Sequence, residues 1–183
     1  MFEEYTSLTE QEAKTFVVNQ KDEPVKAVMA ERVGDATVLD VGCANGYDAD
    51  RYGNNYTGLD ISEELIKHAK LRHPDKTFIC KEVREYFKED VHYDYIVCKS
   101  VLEHTPSLEI AQEIYKLMIE HCDVLLVAWA MIPHNTYKMA QTTGHFGKTI
   151  WQNWFKESAF ALPNVSISKK KVNQYSLWTV TKV

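Results

Sequence analysis

Between Val38 and Gly46 the chain reads Val-Leu-Asp-Val-Gly-Cys-Ala-Asn-Gly, an apolar run that breaks at Gly42 into a turn. Gly42 and Gly46 have no Cβ, so a ligand can approach the main chain there. The free N–H groups of a helix opening at about Asn45 would favour a carboxylate, a phosphate or another polar group. Asp60 comes eighteen residues after Gly42, at the end of a second apolar run, Tyr56 to Leu59. A carboxylate in that place can accept hydrogen bonds from both hydroxyls of a ribose. Turn and acid together point to an adenosine-type ligand. Taken singly, each glycine is only a helix-entry turn and Asp60 only a charge at a helix start, so the joint spacing carries the inference.

The glycine spacing then discriminates between ligands. A dinucleotide site asks for G-x-G-x-x-G, whereas Cys43 and Ala44 leave only G-x-x-x-G, preceded by an acid at Asp40. A nicotinamide cofactor is disfavoured. Gly147-Lys148-Thr149 imitates the end of a phosphate-binding loop, but Thr142 stands where the first glycine belongs and no strand precedes it. Cys43, Cys80, Cys98 and Cys122 are widely separated, with no C-x-x-C pair and no histidines at zinc-ligand spacing, so no metal is expected.

These residues need a scaffold, and the hydrophobic pattern supplies one. Thr37 to Val41 is a short β-branched and apolar run and predicts a buried first strand. A helix is expected from Asn45 to Tyr52, ended by Gly53. The second strand follows at Tyr56 to Leu59, then a helix capped by Ser62 that runs through Leu71. The alternation continues with a strand at Thr77 to Cys80, a weak helix at Val83 to Phe87 and a strand at Tyr93 to Cys98. A helix at Leu108 to Glu120 capped by Ser107 and a strand at Val124 to Trp129 complete it. Strands and helices alternating in this way predict a parallel sheet covered on both faces. Before it, residues 1–36 form an N-terminal helical segment in which Thr9 and Glu12 make a capping box and Pro24 separates two helices. After it, residues 130–149 read as a loop over the sheet and Ile150 to Phe160 as a helix with Trp151, Trp154 and Phe155 on one face. Val165 to Ile167 and Ser176 to Val180 form an antiparallel hairpin through a turn at Lys169, Lys170 and Lys171. The expected fold is α/β: a doubly wound, mostly parallel seven-stranded sheet with helices on both faces and an antiparallel last strand.

A chain of 183 residues that is 45% hydrophobic is long enough for one packed core and short for two, so residues 1–183 are taken as a single domain. The net charge of -5 lacks the positive excess of a protein whose main partner is a phosphate backbone. Nucleic acid is disfavoured as a partner on that ground, and a small molecule fits better. Cysteines beside apolar runs, no apolar leader over Met1 to Lys14 and no run long enough to span a bilayer give a cytoplasmic expectation with no membrane association.

From Val38 to Trp129 the chain resembles the class I S-adenosylmethionine-dependent methyltransferases. That family carries acid-x-Gly-x-Gly-x-Gly after its first strand, and Asp40, Gly42 and Gly46 match it in order. Ala44 replaces the middle glycine, which is tolerated where the backbone needs no positive φ. The segment Tyr93-Asp94-Tyr95-Ile96-Val97-Cys98-Lys99-Ser100-Val101-Leu102-Glu103-His104 is similar to the family's fourth strand and its Ser-Val-Leu-Glu-His step. The resemblance implies S-adenosyl-L-methionine as cofactor. It implies Asp40, Gly42, Cys43, Ala44, Gly46, Asp60, Ile61, Glu82, Val83 and Lys99 as its binding residues, with Asp60 on the ribose and Glu82-Val83 flanking the adenine.

It further implies direct displacement of a methyl group by an O, N or C nucleophile of a small molecule or of a residue presented by a partner. His104 is then the first candidate for general base and Glu103 the second, since His104 follows the fourth strand and a histidine side chain can serve as a base at neutral pH. His145 and Trp151 are candidates on the substrate side, and His134 ranks lower. His68, His73, His92 and His121 are read as surface positions. The alternatives are a non-catalytic or partner-supporting subunit that binds S-adenosylmethionine, and an enzyme that transfers an alkyl group other than methyl.

Overall fold

β-Branched and apolar residues at Val38–Val41, Tyr56–Asp60, Thr77–Cys80, Tyr93–Lys99 and Cys122–Ala130 form five parallel strands, β1 to β5. The computed structural model describes residues 8–14, 22–130, 162–173 and 175–183. Two further strands, β6 (Val165–Val172) and β7 (Tyr175–Lys182), complete one sheet of order β3-β2-β1-β4-β5-β7-β6. β7 runs antiparallel to both β5 and β6. The chain moves outward through β1, β2 and β3, then returns to lay β4 against the other edge of β1. Strand order therefore reverses between β1 and β4, and the crevice at their carboxyl ends is where an open α/β sheet takes its ligand.

Alternate side chains along each strand feed two cores. Leu39, Val41, Ile96, Cys98, Leu125 and Val127 pack on one face with Ile114, Tyr115 and Met118 of α5 (Leu108–Glu120). Val38, Tyr56, Val97, Leu126 and Ala128 pack on the other with Val25, Met29 and Val33 of α2 (Glu23–Val33) and with Ile66 and Ala69 of α3 (Glu63–Arg72). Both faces are thus sealed, and each wholly buried Ile or Met contributes about 1.5–3 kcal/mol by leaving water.

Local sequence sets the helix ends. Thr9 and Glu12 exchange hydrogen bonds at the start of α1 (Glu10–Lys14). Pro24 sits in the first turn of α2, where its missing N–H costs nothing. Ser62 caps α3 by accepting from the Leu65 N–H, and Ser107 caps α5 by accepting from the Ile110 N–H. Between β3 and β4 the helix shrinks to one turn, α4 (Val83–Tyr86), capped by Glu82.

Three expectations are corrected. Asn45 to Tyr52 is not an α-helix: the segment is a run of turns ending in a 3-10 turn at Ala49–Arg51. Gly46 takes φ +71°, which no right-handed helix accepts, and its carbonyl receives both the Ala49 N–H and the His73 ring. Lys169, Lys170 and Lys171 are not a turn but lie in β6, which pairs with β7 through Val172 and Tyr175. His73 is not a surface residue. It is buried, with Nε2 2.9 Å from the Gly46 carbonyl and Nδ1 3.0 Å from Asp50. β5 runs through Ala130; the expected loop from residue 131 on and the helix at Ile150 to Phe160, with His134, His145, Trp151, Trp154 and Phe155, lie outside the described residues.

Candidate functional site

Residues 42–46 leave β1 as a turn strapped to β2. The Gly42 and Cys43 N–H groups both donate to the Leu59 carbonyl, at 2.8 and 3.1 Å. Gly42, Ala44 and Gly46 all have positive φ, +78°, +50° and +71°. The condition for tolerating Ala44 in place of glycine therefore fails: this alanine is held in a left-handed conformation that costs about 1–2 kcal/mol. What holds it is Asp60. Its Oδ2 accepts from the Ala44 N–H at 2.9 Å while Oδ1 accepts from the Ser62 N–H at 3.0 Å. Burial pushes the Asp60 carboxyl above its ordinary range, opposed by the N–H groups of Ser62, Ala44 and Ile61. A carboxylate offers about four lone-pair positions, so Asp60 keeps acceptor capacity beyond these two bonds.

β4 supplies the opposite wall. Ser100, just past Lys99, is also left-handed at φ +55°, and Val101 then turns its side chain into the space over Gly42. A Cβ on Gly42 would lie 2.2 Å from Val101 Cγ2. The two strand ends interlock, and only glycine fits. Leu102–His104 forms a 3-10 turn, with the His104 N–H bonded to the Val101 carbonyl at 2.9 Å. His104 is partly exposed. Glu103 shares that turn, and its side chain is not among those described.

Below the turn lies a network of charges. Asp40, on the same edge of β1 as Gly42, accepts from the Tyr56 hydroxyl at 2.9 Å. Its carboxyl is pushed up to about 7, first by burial and then by the charge of Asp48; the Tyr56 bond and Lys99 pull it down. Lys99 is engaged by Asp22, its Nζ 2.7 Å from the carboxylate. Lys26 Nζ bridges Asp22 at 2.9 Å and Asp48 at 3.1 Å, and Arg51 joins Asp48 to Glu23. Asp22 and Lys26 are almost completely buried. α2 is thereby pinned to the carboxyl ends of β1 and β4.

The remaining sequence-predicted residues gather beside Asp60. Ile61 follows it, and the Ile61 carbonyl faces the exposed Cys80 thiol. Glu82 is engaged by Arg84, accepting from its N–H at 3.2 Å and from Nε at 3.1 Å. Val83 is buried beneath, and Cys43 is buried with its thiol raised by burial. The structure thus brings Asp40, Gly42 to Gly46, Asp60, Ile61, Glu82, Val83, Lys99 and the Leu102–His104 turn to one end of the sheet. Sequence reasoning missed Asp22, Lys26, Asp48, Tyr56 and His73. One signal was legible, since Lys26 lies one position after Val25 and three before Met29, on the inward stripe of α2, where a charge demands a partner.

Strand order, the glycine turn after β1 and the acid after β2 define a protein of the class I S-adenosylmethionine-dependent methyltransferase fold. Residues 39–121 match a family model described as a methyltransferase domain. The ubiquinone biosynthesis O-methyltransferase of Coxiella burnetii (strain RSA 493 / Nine Mile phase I) is 31% identical over 96 residues, which are 49% of this chain and 38% of that protein. The chain thus matches well under half the length of that curated relative. Among solved structures, the plantazolicin methyltransferase BpumL in complex with SAH aligns with TM-score 0.72 and 11% identity over 100% of this chain and 94% of that one. The DhpI-SAH complex aligns with TM-score 0.70 and 16% identity over 99% and 94%. At such identities the likeness is one of fold.

Proposed function

We propose that this chain is an S-adenosylmethionine-dependent methyltransferase acting by direct displacement on an oxygen, nitrogen or carbon nucleophile of a small molecule or of a residue presented by a partner. The observation that carries this is the junction of the left-handed turn at residues 42–46 with the Asp60 carboxylate, 2.9 Å from the Ala44 N–H. The residues fit an adenosyl ligand on structural grounds. Gly42, Ala44 and Gly46 turn the backbone back at the strand end, and Asp60 retains acceptor positions for ribose hydroxyls. Two half-buried carboxylates, Asp40 and Asp60, suit a ligand that carries positive charge. The solved neighbours named with SAH, and the O-methyltransferase name of the curated relative, support the cofactor and favour oxygen as the acceptor atom.

Bound there, the cofactor supplies a methyl group on a positively charged sulfur. The chain's own residues do the rest. Asp60 would hold the ribose, the Gly42 to Gly46 backbone would lie against the amino-acid part, and Ile61, Glu82 and Val83 would flank the base. Holding the two reactants in line can supply up to about 7–11 kcal/mol of the barrier. His104 takes the proton of the attacking group, with Glu103 second, which adds roughly a hundred- to ten-thousand-fold. For the acceptor the sequence offers His145 and Trp151 as candidates, with residues 1–183 taken as one catalytic domain.

Calorimetry with S-adenosylmethionine, followed by a screen of hydroxyl and amine acceptors for release of S-adenosylhomocysteine, tests the proposal. No binding at saturating cofactor refutes it; binding without turnover on any acceptor leaves a non-catalytic carrier of the cofactor. His104→Ala is expected to lower turnover at least tenfold with cofactor affinity unchanged, and full turnover would remove it from the chemistry.

A further inference from the structure

The charges under the crevice do not balance. Lys26 and Lys99 face three carboxylates, Asp22, Asp48 and Asp40, while Arg51 is matched by Glu23 through a two-pronged contact at 2.6 and 2.7 Å. Asp22 draws both lysines, so the group left over is Asp40. Among the described residues no Lys, Arg or His nitrogen makes an ion pair with Asp40 or with Asp60. The groups that act on Asp40 come from every neighbouring element. Asp48 follows β1, Tyr56 and Asp60 lie on β2, Lys99 lies on β4, and the neutral Tyr52 and Cys43 lie close by. A half-buried carboxylate without a cation is an expensive charge to leave bare, and a proton is the simplest way to neutralise it.

We propose that ligand binding in this crevice is proton-coupled: Asp40 is protonated in the ligand-free protein, and a positively charged group of the ligand replaces that proton. The exchange balances, since Asp40–COOH and the ligand cation give the ion pair and one proton released to the buffer. Lys99 and Tyr56 act as positioning residues that set the pH at which this happens, because both favour the carboxylate form. The inference rests on the proposed cofactor site and adds to it a pH dependence. Near and below pH 7, each pH unit lost weakens the apparent affinity by up to about tenfold; above it the dependence levels off until, at about pH 8, an α-ammonium of the ligand would itself lose its proton.

Calorimetry at pH 6, 7 and 8 in two buffers of different ionisation heat counts the protons released. S-Adenosylmethionine is expected to release a substantial fraction of a proton at pH 6 and 7 and almost none at pH 8. S-Adenosylhomocysteine separates the two cationic groups: equal release with it assigns the role to the ammonium, and release with S-adenosylmethionine alone assigns it to the sulfonium. Adenosine, which carries neither, should bind without release. Asp40→Asn should abolish the buffer dependence. Tyr56→Phe, which keeps the ring packing, should move the pH midpoint upward, as should Lys99→Met, with Lys99→Arg restoring it. A merely structural role would weaken binding equally at all three pH values. Heats independent of buffer in the unmodified protein overturn the inference while leaving the cofactor site standing, as does proton release with adenosine or in Asp40→Asn. Absence of binding at every pH overturns both.

Discussion

Asp60 does two jobs that a single variant can separate. Charged hydrogen bonds are worth about 1.5–3 kcal/mol, so Asp60→Ala is expected to weaken S-adenosylmethionine binding on the order of ten- to a hundred-fold in calorimetry. Unchanged affinity would take Asp60 out of the site. Because its carboxylate also holds the Ala44 and Ser62 N–H groups, the same variant should unfold at lower urea. Ala44 offers the reverse case. At φ +50° it is strained where glycine is not, and Ala44→Gly should stabilise the protein by about 1 kcal/mol. A lower urea midpoint for that variant would mean the alanine methyl makes contacts that outweigh the strain. The acid, the glycines and their spacing were legible in the sequence because glycine and aspartate at strand ends advertise their chemistry. The left-handed Ala44 and Ser100 were not, because their backbone angles are imposed by partners, Asp60 in one case and the packing of Val101 over Gly42 in the other.

Elements were legible where their periodicity stands alone and illegible where a distant residue overrides it. The helices capped by Ser62 and Ser107 end where their side chains dictate. The segment after Gly46, by contrast, is drawn into turns by the His73 ring on α3's C-terminal flank and by the Asn45 side chain bonded to the Ala13 carbonyl. α2 is similarly defined by what it touches. It is bound to the sheet by Lys26, which lies 2.9 Å from Asp22 and 3.1 Å from Asp48. Removing one member of a buried ionic group strands the others, so Lys26→Met should cost about 3 kcal/mol in urea unfolding. Adding Asp22→Asn to that variant should recover part of the loss. A double variant that is simply additive would show that packing of the lysine stem, and not charge, is responsible.

At the scale of the molecule, the sheet order β3-β2-β1-β4-β5-β7-β6 leaves β3 and β6 as edges. β6 exposes Lys169, Lys170 and Lys171, and Lys169 lies over the Trp178 ring on β7 with its ammonium 4.8 Å from the centroid. A run of lysines on an open edge repels a second strand that would otherwise pair there. Replacing all three by threonine should leave the fold intact, since threonine suits a strand, and should produce concentration-dependent self-association in light scattering. A variant that scatters like the unmodified protein at high concentration would assign the lysines another purpose. The sequence placed this cluster in a turn because three adjacent charges resemble a solvated loop. An edge strand is solvated too, and nothing in local composition distinguishes the two.

The pairing of β7 between β5 and β6 has a consequence for synthesis. β5 has one neighbour, β4, as soon as residues 93–130 are made, but its other side stays open until Tyr175–Lys182 has left the ribosome. Arg32, at the end of α2, waits equally long for Thr179. A nascent chain paused between residues 130 and 175 therefore displays a nine-residue, largely apolar strand with one edge unpaired. That interval is when chaperone capture, or misassembly with another growing chain, is to be expected.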